Sequence, residues 1–341
     1  MDMMKNKLIP FLVSCALAVL SVSGCNFILG PPDDGTSPGP LSGPVRVRYV
    51  ETLRNQASLA GEPYMQSGVA SRPTSSIQRP TSIAADLFRV YVADQAQFPR
   101  LAVFDRSART LTIYSAPTPT AFGERFVDLS SVAVTASGNI FLADAQQGKV
   151  FGLDRAGNLL LTIGKAGNLA YPTGLAVDSG RNRLYVVDKH AHAVHIYSMT
   201  GEWLQDITGD GAKKRLGSPV AMAIDAEGTC FILDLHGQRI HTFDRDGVYR
   251  SSFHIATNVP AEAVRPTGIS VDSDGHLYVT DGIGNSILIF DKNGTFLQRW
   301  GAIGGQIDGF WSPGAIFIDK RDLIYIADQM NGRIQVYQYV K

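Results

Sequence analysis

The chain repeats one pattern six times, and this repetition restricts the fold more than any other feature. In each repeat an apolar segment ends in aspartate, a short turn follows, and a second apolar segment comes after the turn. The pattern is clearest in His276–Asp291, which reads HLYVTDGIGNSILIFD. The aspartates that end the first segment are Asp94, Asp144, Asp188, Asp234, Asp281 and Asp328. Their spacing of 44 to 50 residues is typical of propeller blades with four strands each.

A second recurring element of each repeat is a lead-in segment, usually containing proline, which is followed by another apolar strand. These segments are Arg79–Asp86, Phe126–Thr135, Tyr171–Asp178, Gly217–Asp225, Arg265–Asp272 and Trp311–Asp319. Outer strands are expected at Thr110–Tyr114, Leu159–Ile163, Trp203–Ile207, Tyr249–Phe253 and Phe296–Trp300. The sequence therefore predicts an all-β fold, a six-bladed β-propeller over residues 45–341.

The sixth repeat ends at Lys341 without a fourth strand, which would leave a sheet edge unpaired. Val45–Leu53, VRVRYVETL, alternates apolar and polar residues as a half-exposed strand does. We predict that this segment pairs with the last repeat and closes the sixth blade. The alternative is that it only lies across the surface. Arg54–Gln78 has no clear periodicity and is predicted to be an irregular loop.

These motifs resemble those of the NHL repeat family. The shared features are the Pro-Thr-Gly or Ser-Pro lead-in, the Tyr-Val-x-Asp end of the second strand, and Arg-Ile-x-x-Phe-Asp in the third. Asp234 with Arg239-Ile240, and Asp328 with Asn331 and Arg333-Ile334, match best. The resemblance covers Arg79–Lys341 and implies an NHL-type six-bladed propeller. It implies no particular activity, because one fold serves many functions.

The N-terminal segment has the pattern of an export signal. A basic start is followed by the uncharged, mostly apolar Leu8–Ser23 and by Gly24-Cys25. Val22-Ser23-Gly24-Cys25 resembles the lipobox of bacterial lipoproteins, which implies cleavage after residue 24 and a covalent lipid on Cys25. Residues 25–44, rich in Pro, Gly and Ser, would then be a flexible tether. The resemblance implies a membrane-anchored protein of the cell envelope, and Asn26 favours the outer membrane. An ordinary signal peptide is the alternative.

Charge and cysteine content restrict the partners and the chemistry. The chain has 31 basic and 31 acidic residues, so we expect no nucleic-acid partner held by a broad basic field. Cys15 lies in the leader and Cys25 is the expected lipidation site, which leaves Cys230 within an apolar strand. We expect Cys230 to be a small buried residue and not a reactive thiol.

The repeated aspartates are predicted to be structural. One aspartate per blade at a strand-to-turn junction can accept backbone N–H bonds and meet a cation five or six residues later. That cation is Arg100, Lys149, Arg239 or Arg333 in four blades. In blades three and five, Ala193 and Ser286 stand at the position.

Two enzymatic alternatives remain open at this point. The peptidyl-hydroxyglycine amidating lyases, which are six-bladed, use histidines around a central zinc, and the candidates here would be His190, His192 and His236. His195 and His241 are expected to lie in strands beyond the turns. Lactonase-like propellers hold calcium near the axis. The sequence contains no nucleophile elbow, Walker loop or HExxH motif, so no catalytic residue and no cofactor is predicted.

The function favoured by the sequence is a non-catalytic, lipid-anchored platform that binds an envelope protein or complex. Turns after the repeated aspartates and loops between blades should share one face. The candidate binding residues on it are Phe98, Lys189, His190, His236, Lys213, Lys214, Arg215, Phe310 and Trp311. Aromatic residues and arginine are typical anchors of protein interfaces. The alternative is a metal-dependent lyase or lactonase, with zinc or calcium on the central axis.

Overall fold

A computed structural model describes residues 45–60, 76–115, 125–164, 168–209, 215–259 and 263–341. They form six four-stranded antiparallel sheets whose first strands contact one another around a central channel. The all-β six-bladed propeller is therefore confirmed. Within these ranges no helix is long and apolar enough to cross a membrane. The predicted signal peptide, Cys25 and the tether lie outside the described residues.

The strands follow one another from the inside of each blade outward. Strand β1 (Arg46–Leu53) belongs to blade 6, and a short 3-10 helix covers Ala57–Ala60. Blade 1 contains β2 (Pro80–Ala85), β3 (Arg89–Gln95), β4 (Pro99–Asp105) and β5 (Thr110–Ser115). Blade 2 contains β6 (Leu129–Val134), β7 (Ile140–Asp144), β8 (Lys149–Leu153) and β9 (Leu159–Ile163). Blade 3 contains β10 (Pro172–Asp178), β11 (Arg183–Asp188), β12 (Ala193–Ser198) and β13 (Trp203–Ile207).

The second half of the ring has the same order, with one insertion. Blade 4 contains β14 (Pro219–Ile224), β15 (Cys230–Asp234), β16 (Arg239–Phe243) and β17 (Tyr249–His254), followed by the helical turn α1 (Ile255–Asn258). Blade 5 contains β18 (Pro266–Val271), β19 (Leu277–Asp281), β20 (Ser286–Phe290) and β21 (Phe296–Trp300). Two short strands, β22 (Ala302–Ile303) and β23 (Gly309–Phe310), follow in the loop before blade 6. Blade 6 contains β24 (Pro313–Ile318), β25 (Leu323–Asp328), β26 (Arg333–Val340) and β1.

The N-terminal strand closes the ring. β1 runs antiparallel to β26, from Arg46 opposite Val340 to Leu53 opposite Ile334. Val45, Val47 and Leu53 are buried, whereas Arg46 and Arg48 are exposed, as the alternating pattern predicts. The prediction that residues 45–53 complete the sixth blade is confirmed. This pairing covers the edge of β26, which would otherwise present unpaired backbone groups.

The apolar core lies between neighbouring blades. Second and third strands are buried on both faces, and four tyrosines of second strands are among the largest fully buried side chains. They are Tyr91, Tyr185, Tyr278 and Tyr325. Cys230 is also buried, and burial raises the pKa of its thiol to about 12. The thiol therefore stays protonated at neutral pH, as expected for a core residue.

The ring has two faces, which we name by the direction of the first strands. The upper face is where each first strand begins. It carries the lead-in segments and the turns between second and third strands. The lower face carries the hairpins between first and second strands and between third and fourth strands. Because β1 starts at its lower end, residues 1–44 join the propeller at the lower face of blade 6.

A channel with a cavity volume of about 550 Å³ runs between the first strands. Its wall is mostly aliphatic or hydroxyl-bearing, with Met222 and Phe317 also present, and the charged residues that line it are Asp86, Asp319, Lys320 and Arg321. All four follow the ends of first strands, so they lie at the lower mouth. Both carboxylates are engaged there: Asp86 accepts from the Tyr91 hydroxyl at 3.0 Å, and Asp319 pairs with Arg321 at 2.6 Å.

Candidate functional site

The six repeated aspartates hold the upper face in place. All are buried, and each accepts backbone N–H groups from the lead-in segment of its own blade. Asp188, for example, accepts from Ala170 at 2.6 Å and Tyr171 at 2.9 Å, and also from His190 and Ala191 in the turn that follows it. This geometry supports the predicted structural role. Fixed backbone amides make the loops of this face rigid.

Two of the cations predicted beside these aspartates, Arg100 and Arg333, bond to them as expected. Arg100 donates to Asp94 at 2.9 Å, and Arg333 donates to Asp328 at 2.7 Å. Burial raises the pKa of Asp328, although Arg333 opposes that shift. The two ion pairs are almost completely buried, so each arginine needs its carboxylate.

Blade 4 departs from the prediction. Arg239 donates to the Ser252 hydroxyl at 3.1 Å, and the ring of His241 lies 3.6 Å from Asp234 instead. Burial acts to raise the pKa of Asp234, but bonds from His241 and from backbone amides lower it overall.

The partners of Asp188 and Asp281 do not stand five or six residues after these aspartates. In blade 3, His195 lies 3.9 Å from Asp188 and contacts Asp206 at 2.8 Å. In blade 5, Arg299 of the outer strand lies 3.9 Å from Asp281. The histidines stand seven residues after their aspartates, a spacing that the sequence shows but that our prediction did not use.

The histidines named as zinc candidates have other neighbours. The ring of His190 stacks on Tyr171 with 4.6 Å between centroids, and His192 Nδ1 lies 2.6 Å from the Gly217 carbonyl oxygen. His236 follows Asp234 in the next blade and is exposed. Across the ranges that the structure describes, no three His, Cys, Asp or Glu side chains are grouped as a metal site.

The predicted binding residues do not all reach the surface. Phe98, His190, Arg215 and His236 are exposed on the upper face, whereas Lys189 and Trp311 are half-buried. Lys213 and Lys214 lie outside the described residues. The prediction was wrong for Phe310. Its side chain is fully buried and packs edge-on against Trp300, with 5.7 Å between the ring centroids. It is a core residue and not an exposed anchor.

Phe310 is the base of a braced loop, residues 301–312, which joins blades 5 and 6. Within the loop, β22 and β23 pair in parallel, with Ile303 opposite Phe310. A Cβ on Gly301, which has φ +86°, would lie 2.4 Å from the Phe310 ring, so only glycine fits. Arg333 donates to two carbonyl groups of the loop, at Gln306 and Gly309, and Gln335 also donates to Gly309.

The tip of this loop carries an exposed isoleucine, Ile303, with 67% of its surface accessible. Apolar side chains on neighbouring loops of the upper face are also exposed: Ile283 by 54%, Met330 by 40%, Phe98 by 60% and Val127 by 46%. These five residues, which we call the apolar arc, extend over blades 5, 6, 1 and 2. Sequence reasoning found only Phe98 among them.

Hydrogen bonds connect the loops that carry the arc. The Ser312 amide donates to Asn285 in the Ile283 turn at 2.8 Å, and Asn331 beside Met330 donates to the Gly304 carbonyl at 2.8 Å. In blade 1, Gln95 donates to Asp128 beside Val127 at 2.5 Å. The apolar side chains are therefore presented by rigid loops. Such preorganisation lowers the entropy lost on binding.

Comparisons with known proteins agree with the fold. Residues 271–340 match a family model described as "6-bladed beta-propeller", and residues 169–197 match the NHL repeat model. The NHL resemblance is therefore confirmed for the third repeat. A search of curated proteins found no match.

Several solved structures are similar to this chain. A gluconolactonase from Xanthomonas campestris is 16% identical with a TM-score of 0.61, over 91% of this chain and 97% of that one. Virginiamycin B lyase from Staphylococcus aureus is 13% identical with a TM-score of 0.55, over 77% and 96%. A protein of unknown function from Bacteroides thetaiotaomicron is 17% identical with a TM-score of 0.61, over 80% and 72%. Identities this low show a shared fold alone.

Proposed function

We propose that this protein is a lipid-anchored platform of the bacterial cell envelope that binds another protein through the apolar arc. The observation that carries the proposal is Ile303, which is two-thirds exposed at the tip of a loop held by buried Arg333 and Gln335. The buried side chains of Arg333 and Gln335 hold the loop in a conformation in which Ile303 is exposed, so Ile303 adds nothing to the packing of the core. An exposed apolar residue held in this way suits a surface that meets a partner.

The proposal is tested by crosslinked affinity purification of the tagged full chain from its own membranes, followed by mass spectrometry. The variant Ile283→Ser/Ile303→Ser should lose a stoichiometric partner that the unchanged chain retains. Leu160→Ser/Val248→Ser is the matched control, because both side chains are exposed away from the upper face. Unchanged capture by the arc variant, or loss by the control alone, would reject the arc as the binding surface.

The membrane anchor is a separate part of the proposal. It is supported by the sequence, which places Cys25 at the end of an export signal, and by residues 1–44 joining the ring at the lower face, opposite the arc. Mass spectrometry of the N-terminal peptide should show cleavage before Cys25 and acyl chains on it. Cys25→Ala should move the protein from the membrane fraction to the soluble fraction. A membrane-bound Cys25→Ala variant would contradict the anchor.

A metal-dependent lyase or lactonase is the second candidate function. It is favoured by the presence of a gluconolactonase and a virginiamycin B lyase among the similar structures. Against it, the channel wall between the two mouths carries no His, Asp or Glu among the residues the structure describes. Stoichiometric zinc or calcium in the purified chain, removed by changing His192 or His236, would favour the enzyme.

A further inference from the structure

Many cations of the lower face lie beside acids of the same chain. Six of them form ion pairs at distances of 2.5 to 3.6 Å. The pairs are Arg89–Asp105, Arg155–Asp86, Arg181–Asp246, Arg250–Asp244, Arg321–Asp319 and Lys341–Asp274. Four other exposed cations of this face, Arg109, Arg245, Lys292 and Lys320, have no carboxylate within 4.0 Å among the described residues, so the face is neutralised only in part.

In the part of the chain that the structure describes, the upper face also carries exposed cations without an ion pair, and all four of these are arginines. Four exposed arginines, Arg79, Arg125, Arg215 and Arg265, have no carboxylate within 4.0 Å among the described residues. The six repeated aspartates lie beneath this face, and burial and backbone N–H bonds keep them from reaching its surface.

The remaining acids of this face already have partners. Asp128 accepts from Gln95 and from the Tyr171 hydroxyl, and Asp308 accepts from Trp300 Nε1 at 3.1 Å. The upper face thus offers guanidinium groups whose counter-charges are not supplied by the described part of the chain.

Two of these arginines lie beside the apolar arc. Arg79 and Arg265 immediately precede the lead-in prolines of blades 1 and 5, and their backbone amides are held by Asp94 at 2.6 Å and Asp281 at 3.1 Å. Arg265 also donates to the Ser312 hydroxyl at 3.3 Å, at the end of the 301–312 loop. The guanidinium groups are therefore next to the loops that carry Phe98, Ile283 and Ile303.

We infer that the partner of the apolar arc is an acidic protein segment, in which carboxylates are interleaved with aliphatic side chains. The inference rests on the proposed platform function and specifies its partner. Arginine suits this role because its planar fork binds carboxylates in two-point geometry. Aliphatic contacts between the arginines have no counterpart on a phosphate backbone, which favours a protein over nucleic acid.

The experiment measures fluorescence anisotropy of three labelled peptides with the purified full chain in neutral detergent. The peptides share one length and one leucine pattern, and carry Glu, Gln or Lys at every other position. We expect the Glu peptide to bind, and its affinity should fall as the salt concentration rises from about 50 mM to about 300 mM, because salt screens charge pairs at the surface. Arg79→Gln/Arg265→Gln should weaken that binding by about tenfold.

The matched control is Arg155→Gln/Arg250→Gln, which removes two paired arginines of the lower face. It should leave binding of the Glu peptide unchanged, and melting curves check that both variants fold. Equal binding of the Glu and Gln peptides, or no effect of the upper-face variant, overturns the inference. So does tighter binding to an oligonucleotide or to anionic lipid vesicles, because the arginines would then recognise phosphate.

Failure of this inference is distinguishable from failure of the platform. If the arc captures a partner from membranes but the peptide results are negative, the platform stands and the acidic partner is wrong. If the arc variant captures partners normally, the platform itself is wrong.

Discussion

The two faces of this propeller place aspartate in different environments. On the upper face the repeated aspartates are buried and hold the lead-in segment that precedes the first strand of their own blade, as Asp328 holds Trp311 at 2.7 Å. On the lower face aspartates cap their own hairpins, as Asp291 accepts the amides of Asn293 and Thr295 within four residues. The first arrangement fixes tertiary structure, and the second shapes a local turn.

The difference bears on the proposal that the upper face binds a partner. Where carboxylates are buried beneath the loops, the loops become rigid and the surface above them is left with arginines and apolar side chains. In the hairpin turns of the lower face, some carboxylates pair with arginines nearby, as Asp244 does with Arg250. The same residue type is thus buried beneath loops on one side of the ring and takes part in surface ion pairs on the other.

The comparison predicts its largest effect at Asp328. Asp328→Ala leaves Arg333 buried without its carboxylate and should destabilise the fold by about 3–5 kcal/mol. Asp291→Ala is the lower-face control and should cost about 1 kcal/mol, because it removes turn bonds only. Urea unfolding followed by circular dichroism measures both values. Equal losses for the two variants would break the distinction between the faces.

A second test separates the base of the 301–312 loop from its tip. Phe310→Ala removes a fully buried ring beside Trp300 and should cost about 3 kcal/mol, the low end for such a cavity, because a surface loop can partly collapse. Ile303→Ala should change stability by less than about 0.5 kcal/mol, since its side chain is exposed. Thermal melting of both variants checks this. A large loss for Ile303→Ala would mean that it supports the loop and is not kept for a partner.

The sequence predicted the ring and its closure because both follow from local periodicity. The spacing of the aspartates predicted the blades. The unpaired edge of the last strand predicted that Val45–Leu53 pairs with it. The repeated aspartates could likewise be assigned a structural role from their position at each strand end.

The proposed binding surface was predicted less well, because it depends on non-local pairing. Gly301–Ser312 contains three large apolar residues besides Trp311, and the parallel pairing of β22 with β23 places Phe310 in the core, leaves Ile307 half-buried and exposes Ile303.

The predicted cation partner of Asp234 was wrong for a similar reason. Arg239 and His241 stand two residues apart on one strand and so point to the same side of the sheet. Arg239 bonds to Ser252 of the neighbouring strand β17, and His241 lies beside Asp234 instead.

The smallest predicted effect concerns the lower face and its dependence on pH. The Ala108 amide, the Ser107 hydroxyl and Arg89 lower the pKa of Asp105 to about 2, although burial opposes them. Because the folded pKa is below the ordinary value of 3.8, the charged carboxylate stabilises the fold above about pH 4, and this contribution disappears as the pH falls towards 2.

Asp105→Asn should therefore cost about 1 kcal/mol at pH 7, because Asn keeps one acceptor oxygen for the turn but loses the ion pair with Arg89. Between pH 7 and pH 5 the difference between the variant and the unchanged chain should stay constant, and below pH 4 it should shrink. Urea unfolding at several pH values measures this difference. A gap that stays constant down to pH 2 would mean that Asp105 acts through shape alone, which would remove charge from the account of the lower face.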